Sequence, residues 1–127
     1  MNKIILVVED QPEIRKLICM TMDYDGFEVH EAENGDSGLR MVKALRPNIV
    51  LLDVMMPGQL DGIQVCERIR ADPEIAHIPV VLLTARGQQS DLEAGRRAGC
   101  DAYLTKPFSP LQLIETVEQL TTTEPSR

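Results

Sequence analysis

Four stretches of the sequence set a residue capable of chemistry at or just after the end of a run that reads as a strand. KIILVVED closes on Glu9 and Asp10, NIVLLD on Asp53, IPVVLLT on Thr84, and DAYLT is followed by Lys106 and Pro107. Three carboxylates, a hydroxyl and an amine form a set suited to phosphoryl chemistry, provided that one edge of the fold gathers them. Two carboxylates ~5 Å apart repel by roughly 3 kcal/mol at an effective dielectric of ~20, which either raises a carboxylate pKa or requires a cation. Mg²⁺ is the economical solution: it prefers oxygen ligands, keeps several waters, and is commonly held by one or two carboxylates together with phosphate oxygens. Lysine and threonine then supply what a bound phosphoryl group lacks, a positive charge and a hydroxyl donor.

The elements that must position these residues are legible from hydrophobic patterning. Residues 3–9, 48–54 and 78–84 are nearly continuous runs of Val, Ile and Leu, as strands buried on both faces require. Residues 27–33 alternate, with Phe27 and Val29 on one side and Glu28 and His30 on the other, and residues 101–105 are short and mixed, so both fit sheet edges. Between the strands, apolar residues recur at helical spacing: Ile14, Leu17, Ile18 and Met22; Leu39, Val42 and Leu45; Val65, Cys66 and Ile69. Residues 87–98 carry Leu92 almost alone and read as the least anchored helix, a candidate moving part. The last helix opens with Ser109 as N-cap, Pro110 at its first position and Gln112 placed for a capping box, followed by Leu113, Ile114, Val117 and Leu120. Five strands alternating with five helices predict a flavodoxin-like (βα)5 fold, a doubly wound parallel sheet in the order 2-1-3-4-5. Ligands of such sheets bind beyond the carboxyl ends of the strands, where all five candidate residues fall.

Each candidate also has an ordinary reading. Asp10 with Glu13 could be a helix N-cap and its capping partner, and Asp53 before MMPG could close an Asx turn. Thr84 could be a strand end and Lys106 a solvated loop amine. All of these at one edge of one sheet would be a coincidence.

A chain of 127 residues is the size of one domain, here expected over residues 1–120 with a polar tail at 121–127. Its 43% hydrophobic and 26% charged residues are those of a soluble globular protein, and no apolar run approaches the roughly 20 residues of a membrane span. The N-terminus reads as a first strand, not a signal peptide. Cys19, Cys66 and Cys100 are odd in number and lack CxxC spacing, which argues for packing roles and a reducing cytoplasm. A net charge of −7 argues against direct nucleic-acid binding and for proteins, cations or both as partners.

The stretches VVEDQP (7–12), LLDVMMPGQLDG (51–62), LLTAR (82–86) and GCDAYLTKPF (99–108) together resemble the receiver domain of two-component response regulators, and the likeness covers residues 3–120. The resemblance implies that Asp53 is the phosphoacceptor, taking a phosphoryl group from a phosphohistidine on a sensor histidine kinase or histidine phosphotransfer protein. It implies that Asp10 holds Mg²⁺ directly, Glu9 through water and Met55 through its backbone carbonyl, with Asp53 itself a ligand. Lys106 would pair with phosphoryl oxygens, its bond to Pro107 being cis. Thr84 would donate its hydroxyl after transfer, and Tyr103 would rotate into the space that Thr84 leaves. The surface of helix 4, strand 5 and helix 5 would then change and be read by a downstream target protein. Such a domain catalyses its own phosphorylation and dephosphorylation rather than a metabolic reaction. Met55 and Arg86, at the positions that influence hydrolysis in the family, are poor at positioning water and imply slow self-dephosphorylation. One departure stands out: three residues separate Pro57 from Asp61, where the family usually has two. That insertion is expected to spare metal binding and to alter the start of helix 3, for which Asp61 reads as N-cap.

Two other functions compete. A receiver-like module that docks partners without phosphorylation usually lacks an acidic residue, the acceptor or the lysine, and all are present here. A small-molecule phosphatase of the dehalogenase-like kind has a second Asp two residues beyond the nucleophile, where this chain has Met55. His30 and His77 read as solvated, and Gly95 and Gly99 do not make a dinucleotide fingerprint.

Overall fold

The computed structural model describes residues 3–56, 58–85 and 89–121. Five parallel strands, β1 (Ile4–Val8), β2 (Glu28–Ala32), β3 (Ile49–Asp53), β4 (Val80–Ala85) and β5 (Ala102–Lys106), lie in the order β2-β1-β3-β4-β5. Five helices connect and follow them: α1 (Pro12–Tyr24), α2 (Gly35–Leu45), α3 (Gly62–Ala71), α4 (Gln89–Ala98) and α5 (Pro110–Thr121). This is the doubly wound order expected from the run lengths, with β2 and β5 at the edges. Arg86 and residues 87 and 88, and the tail beyond Thr121, lie outside the described residues.

The sheet divides the core into two halves because successive strand residues face opposite sides. Leu6, Val8, Val50, Leu52, Val80 and Leu82 pack under α2, α3 and α4, with Val42, Val65, Cys66 and Ile69 among their partners. Ile5, Val7, Ile49, Leu51, Val81 and Leu83 pack under α1 and α5, against Ile18, Met22, Leu113 and Val117.

Helix starts follow local chemistry. Asp61 caps α3 in a full capping box with Gln64, and Ser109 and Gln112 exchange the same two bonds at α5. Two expectations need correction. Leu17, assigned above to the packed stripe of α1, is 45% exposed; Ile18 and Met22 fill the core, and Leu17 falls at the stripe's margin. In α4 it is Gly95 and Ala98 that are buried, with Leu92 only half-buried. A Cβ on Gly95 would lie 2.4 Å from the Leu82 side chain, so this helix approaches β4 through a missing side chain rather than through an apolar stripe.

Candidate functional site

The carboxyl ends of β1 and β3 carry Glu9 and Asp53, both buried, with half-buried Asp10 beside them. One oxygen from each lies within 4.8 Å of the others. Lys106, at the end of β5, reaches across: its Nζ lies 3.0 Å from Glu9 Oε1 and donates to Asp53 Oδ1 at 3.2 Å. The second Glu9 oxygen accepts the Gln11 backbone N–H at 3.2 Å. The peptide between Lys106 and Pro107 is cis.

The ordinary readings fare unevenly against this geometry. Gln11, not Asp10, occupies the N-cap of α1, its side chain makes no capping bond, and Pro12 starts the helix; Asp10 is therefore free for another task. The Met55 N–H reaches Asp53 Oδ1 only at 3.4 Å, a weak Asx turn beside the stronger Lys106 contact at 3.2 Å. Lys106 is ion-paired on both sides, not a solvated amine. Thr84 is 1% exposed and its hydroxyl has no hydrogen-bond partner among the described residues, a costly arrangement for a residue that merely ends a strand.

Burial, a hydrogen bond shared with the Asp10 carboxyl and repulsion from Glu9 push the Asp53 carboxyl up to about 8, against the opposing pull of Lys106. Such a shift keeps the proton on Asp53 to higher pH than on a free aspartate, and a nucleophile must lose it. A divalent cation among the three carboxylates would offset each of these causes, and the all-oxygen donor set fits Mg²⁺.

Backbone spacing fixes this arrangement. A Cβ on Gly62 would lie 2.2 Å from the Asp53 carbonyl oxygen and 2.8 Å from its carbon, so α3 begins directly against the strand end that carries the acid. The Gly62 N–H binds the Val54 carbonyl at 3.0 Å. In the turn before α3, Gly58 takes a left-handed φ of 103° and Leu60 folds into the core, its carbonyl against Gly35. Met55, at the mouth, is 66% exposed.

Thr84 and Tyr103 share a side of the sheet. Thr84 alternates with Val80 and Leu82, which face α4, and Tyr103 pairs with Leu82 across the ladder. Tyr103 is exposed on the solvent side. The other singled-out residues take lesser roles. His30 is half-buried, its Nε2 2.8 Å from Glu28 Oε2, and His77 is exposed. All three thiols are free, and burial raises each, Cys19 and Cys66 to about 11, as suits packing rather than reactivity.

Sequence reasoning missed two contributors. A glycine at the first position of α3, where helix propensity disfavours it, was the available signal for the close approach to Asp53. Arg15 gave no signal: its Nη1 donates to the Glu9 carbonyl at 2.8 Å and its Nε to Glu31 at 3.0 Å, contacts that only the fold reveals.

Comparison with known proteins identifies the family and the fold. The sequence model of the response regulator receiver domain matches residues 5–118. The chain is 41% identical over 118 residues to the phosphate regulon transcriptional regulatory protein PhoB of Escherichia coli K12, covering 93% of this chain and 51% of that protein. It is 40% identical over 116 residues to the transcriptional regulatory protein ResD of Bacillus subtilis, covering 91% and 47%. The chain thus spans about half the length of these relatives. Among solved structures, the receiver domain of NtrX from Brucella abortus superposes with a TM-score of 0.85 at 31% identity, covering 94% of this chain and 99% of that one. The receiver domain of a sensor histidine kinase from Pseudomonas aeruginosa PAO1, with magnesium coordinated in its active-site cleft, does so with a TM-score of 0.89 at 29% identity, covering 97% and 100%.

Proposed function

Because this chain belongs to the family of response regulator receiver domains, we propose that it is a phosphorylation-dependent switch whose acceptor is Asp53. An Asp53 carboxylate oxygen attacks the phosphorus of a phosphohistidine on a sensor histidine kinase or phosphotransfer protein, and the donor's P–N bond breaks as the new O–P bond forms. The Lys106 ammonium, already between Glu9 and Asp53, moves onto a phosphoryl oxygen, and the Thr84 hydroxyl donates to another. Mg²⁺ held by Asp10 and Asp53, with Glu9 through water and the Met55 carbonyl, would neutralise the carboxylates and the incoming phosphoryl charge. The observation that carries this reading is the Lys106 bridge at 3.0 and 3.2 Å over a buried carboxylate pair.

A groove beside the pocket supports docking of the donor there. Gln11, Ile14, Leu17, Lys106, Pro107 and Phe108 line an apolar groove of about 410 Å³ whose polar end is the Lys106 side chain. On the other side of the pocket, movement of Thr84 toward the phosphoryl group would open space for Tyr103 and alter the α4, β5 and α5 surface, where a downstream protein binds. No helix among the described residues is long and apolar enough to cross a membrane, and the setting that suits a kinase partner and three free thiols is the cytoplasm. The transcriptional activity in the names of PhoB and ResD is theirs and, with an acidic chain here, contact with nucleic acid is not part of this domain's task.

Intact mass after incubation with acetyl phosphate tests the reading. The native chain gains one phosphoryl group only with Mg²⁺, and Asp53→Asn gains none. No gain in the native chain, under conditions that label another receiver domain, favours constitutive docking instead.

A further inference from the structure

Asp10 stands in the loop between β1 and α1, and that loop lacks the anchor such a loop usually has. Its helix N-cap is Gln11, whose side chain makes no capping bond; the loop's own side-chain hold is the Glu9 carboxylate accepting the Gln11 N–H at 3.2 Å, which fixes the peptide after Asp10 and leaves the Glu9–Asp10 peptide before it to other residues. Arg15, one turn into α1, constrains that Glu9–Asp10 peptide from outside the loop. Its Nη1 donates to the Glu9 carbonyl at 2.8 Å, and its Nε is held by Glu31 Oε1 at 3.0 Å. Glu31 belongs to β2, whose neighbour Ala32 accepts the Glu9 N–H at 3.0 Å. The two peptide groups that flank the Glu9 Cα are therefore both held from the β2 side, one at the Glu9 N–H and the other at the Glu9 carbonyl.

The planarity of the peptide makes this grip matter. The Glu9 carbonyl, the Asp10 N–H and the Asp10 Cα share one rigid plane, so a bond that fixes the carbonyl also fixes the position of the Cα from which φ and χ1 aim the Asp10 carboxylate. Arg15 is well suited: a planar guanidinium can hold a carboxylate and a carbonyl through different nitrogens at fixed angles, which an ammonium cannot. Because Glu31 balances its charge, Arg15 acts on the pocket through geometry more than through potential.

We propose that Arg15, backed by Glu31, is a positioning residue for the divalent-cation site, holding the Glu9–Asp10 peptide so that both carboxylates converge with Asp53. The proposal rests on the reading that Glu9, Asp10 and Asp53 bind Mg²⁺. Outer partners that orient metal ligands typically set affinity by 10- to 100-fold.

Calorimetric titration of the intact chain with MgCl₂ tests it, alongside thermal melts and rates of acetyl phosphate labelling at limiting and saturating Mg²⁺. Arg15→Ala weakens Mg²⁺ affinity about tenfold, yet at saturating Mg²⁺ labels Asp53 within about threefold of the native rate. Arg15→Lys recovers part of that affinity, and Glu31→Gln, a change at an exposed side chain that leaves the fold intact, loses about threefold. A purely structural role predicts the opposite pattern, a lower melting temperature with Mg²⁺ affinity within twofold of native in both Arg15→Ala and Glu31→Gln, and overturns the proposal. If the native chain itself fails to bind Mg²⁺, the underlying site reading falls, a result distinct from altered affinity in the variants alone.

Discussion

Helices α3 and α4 are each ten residues long and lie side by side on the same face of the sheet, yet they are attached in different ways. The first starts in a complete capping box, buries Val65, Cys66 and Ile69, and sets Gly62 against the backbone that carries Asp53. The second buries Gly95 and Ala98 and leaves most of its surface to charged residues. Apolar burial is worth roughly 25 cal/mol per Å², so α3 is fastened and α4 is lightly held. The helix beside the acceptor keeps the pocket in shape, and the helix beside Thr84 is the one a small free-energy change can displace.

Two glycines sharpen that contrast, and one of them carries the largest expected effect. A methyl at Gly62 meets the Asp53 carbonyl at 2.2 Å and the Val54 Cα at 2.8 Å, backbone atoms that cannot step aside. Gly62→Ala should cost about 3 kcal/mol or more in denaturant unfolding and slow phosphoryl uptake. The corresponding clash at Gly95 is with the far end of the Leu82 side chain, which yields more readily than backbone, and alanine returns up to about 1 kcal/mol of helix propensity. Gly95→Ala should therefore shift stability by no more than about 1 kcal/mol while changing partner binding at the α4 surface. Equal losses for both variants would mean that the two helices are equally fastened.

Asp53 carries the next effect, with a definite dependence on pH. Its folded carboxyl titrates near 8, against 3.8 as the ordinary value. Below the ordinary value both folded and unfolded chains hold the proton. As pH rises from about 4 to 8 the unfolded chain releases it while the folded chain keeps it, so native stability declines across that window and levels off above it. In Mg²⁺-free buffer Asp53→Asn should thus be more stable than native by a few kcal/mol at pH 8, the gap closing toward pH 4. Mg²⁺ should raise native stability, by about 2.7 kcal/mol at a hundred times its dissociation constant, and the variant's less. Labelling at limiting Mg²⁺ should climb with pH toward 8, and saturating Mg²⁺ should shift that rise to lower pH. A gap independent of pH would show that burial does not hold the proton on Asp53.

The same contrast explains what was legible in the sequence. Strand order, the caps of α3 and α5 and the gathering of Glu9, Asp10, Asp53, Thr84 and Lys106 at one sheet edge follow from local signals: apolar run lengths, Asp61 with Gln64, Ser109 with Gln112. These depend on residues near one another in the chain, or on the topology that parallel strands impose. The packing of α4 through Gly95, the exposure of Leu17 and the reach of Arg15 to the Glu9 carbonyl depend on how elements distant in sequence meet. Hydropathy registers the side chains that fill space; a glycine that admits a neighbour, or a guanidinium that leaves its helix to bind a strand end, carries no periodic mark.

The smallest expected effect on stability isolates the coupling between the two regions. Thr84 holds a buried hydroxyl without a partner among the described residues, so replacing it with the near-isosteric valine removes an unsatisfied polar group and should raise stability by up to about 1 kcal/mol. Asp53, Lys106 and the carboxylates remain, so phosphoryl uptake from acetyl phosphate should persist. What Thr84→Val should lose is transmission: with no hydroxyl to follow the phosphoryl group, Tyr103 has no new space on the α4 side. In the native chain, labelling should move the Tyr103 ring resonances as it leaves the solvent; in Thr84→Val they should stay where they are. A variant that is labelled and still shifts Tyr103 would mean that the pocket signals to the α4 side by another route, and that the orphan hydroxyl is a cost without a function.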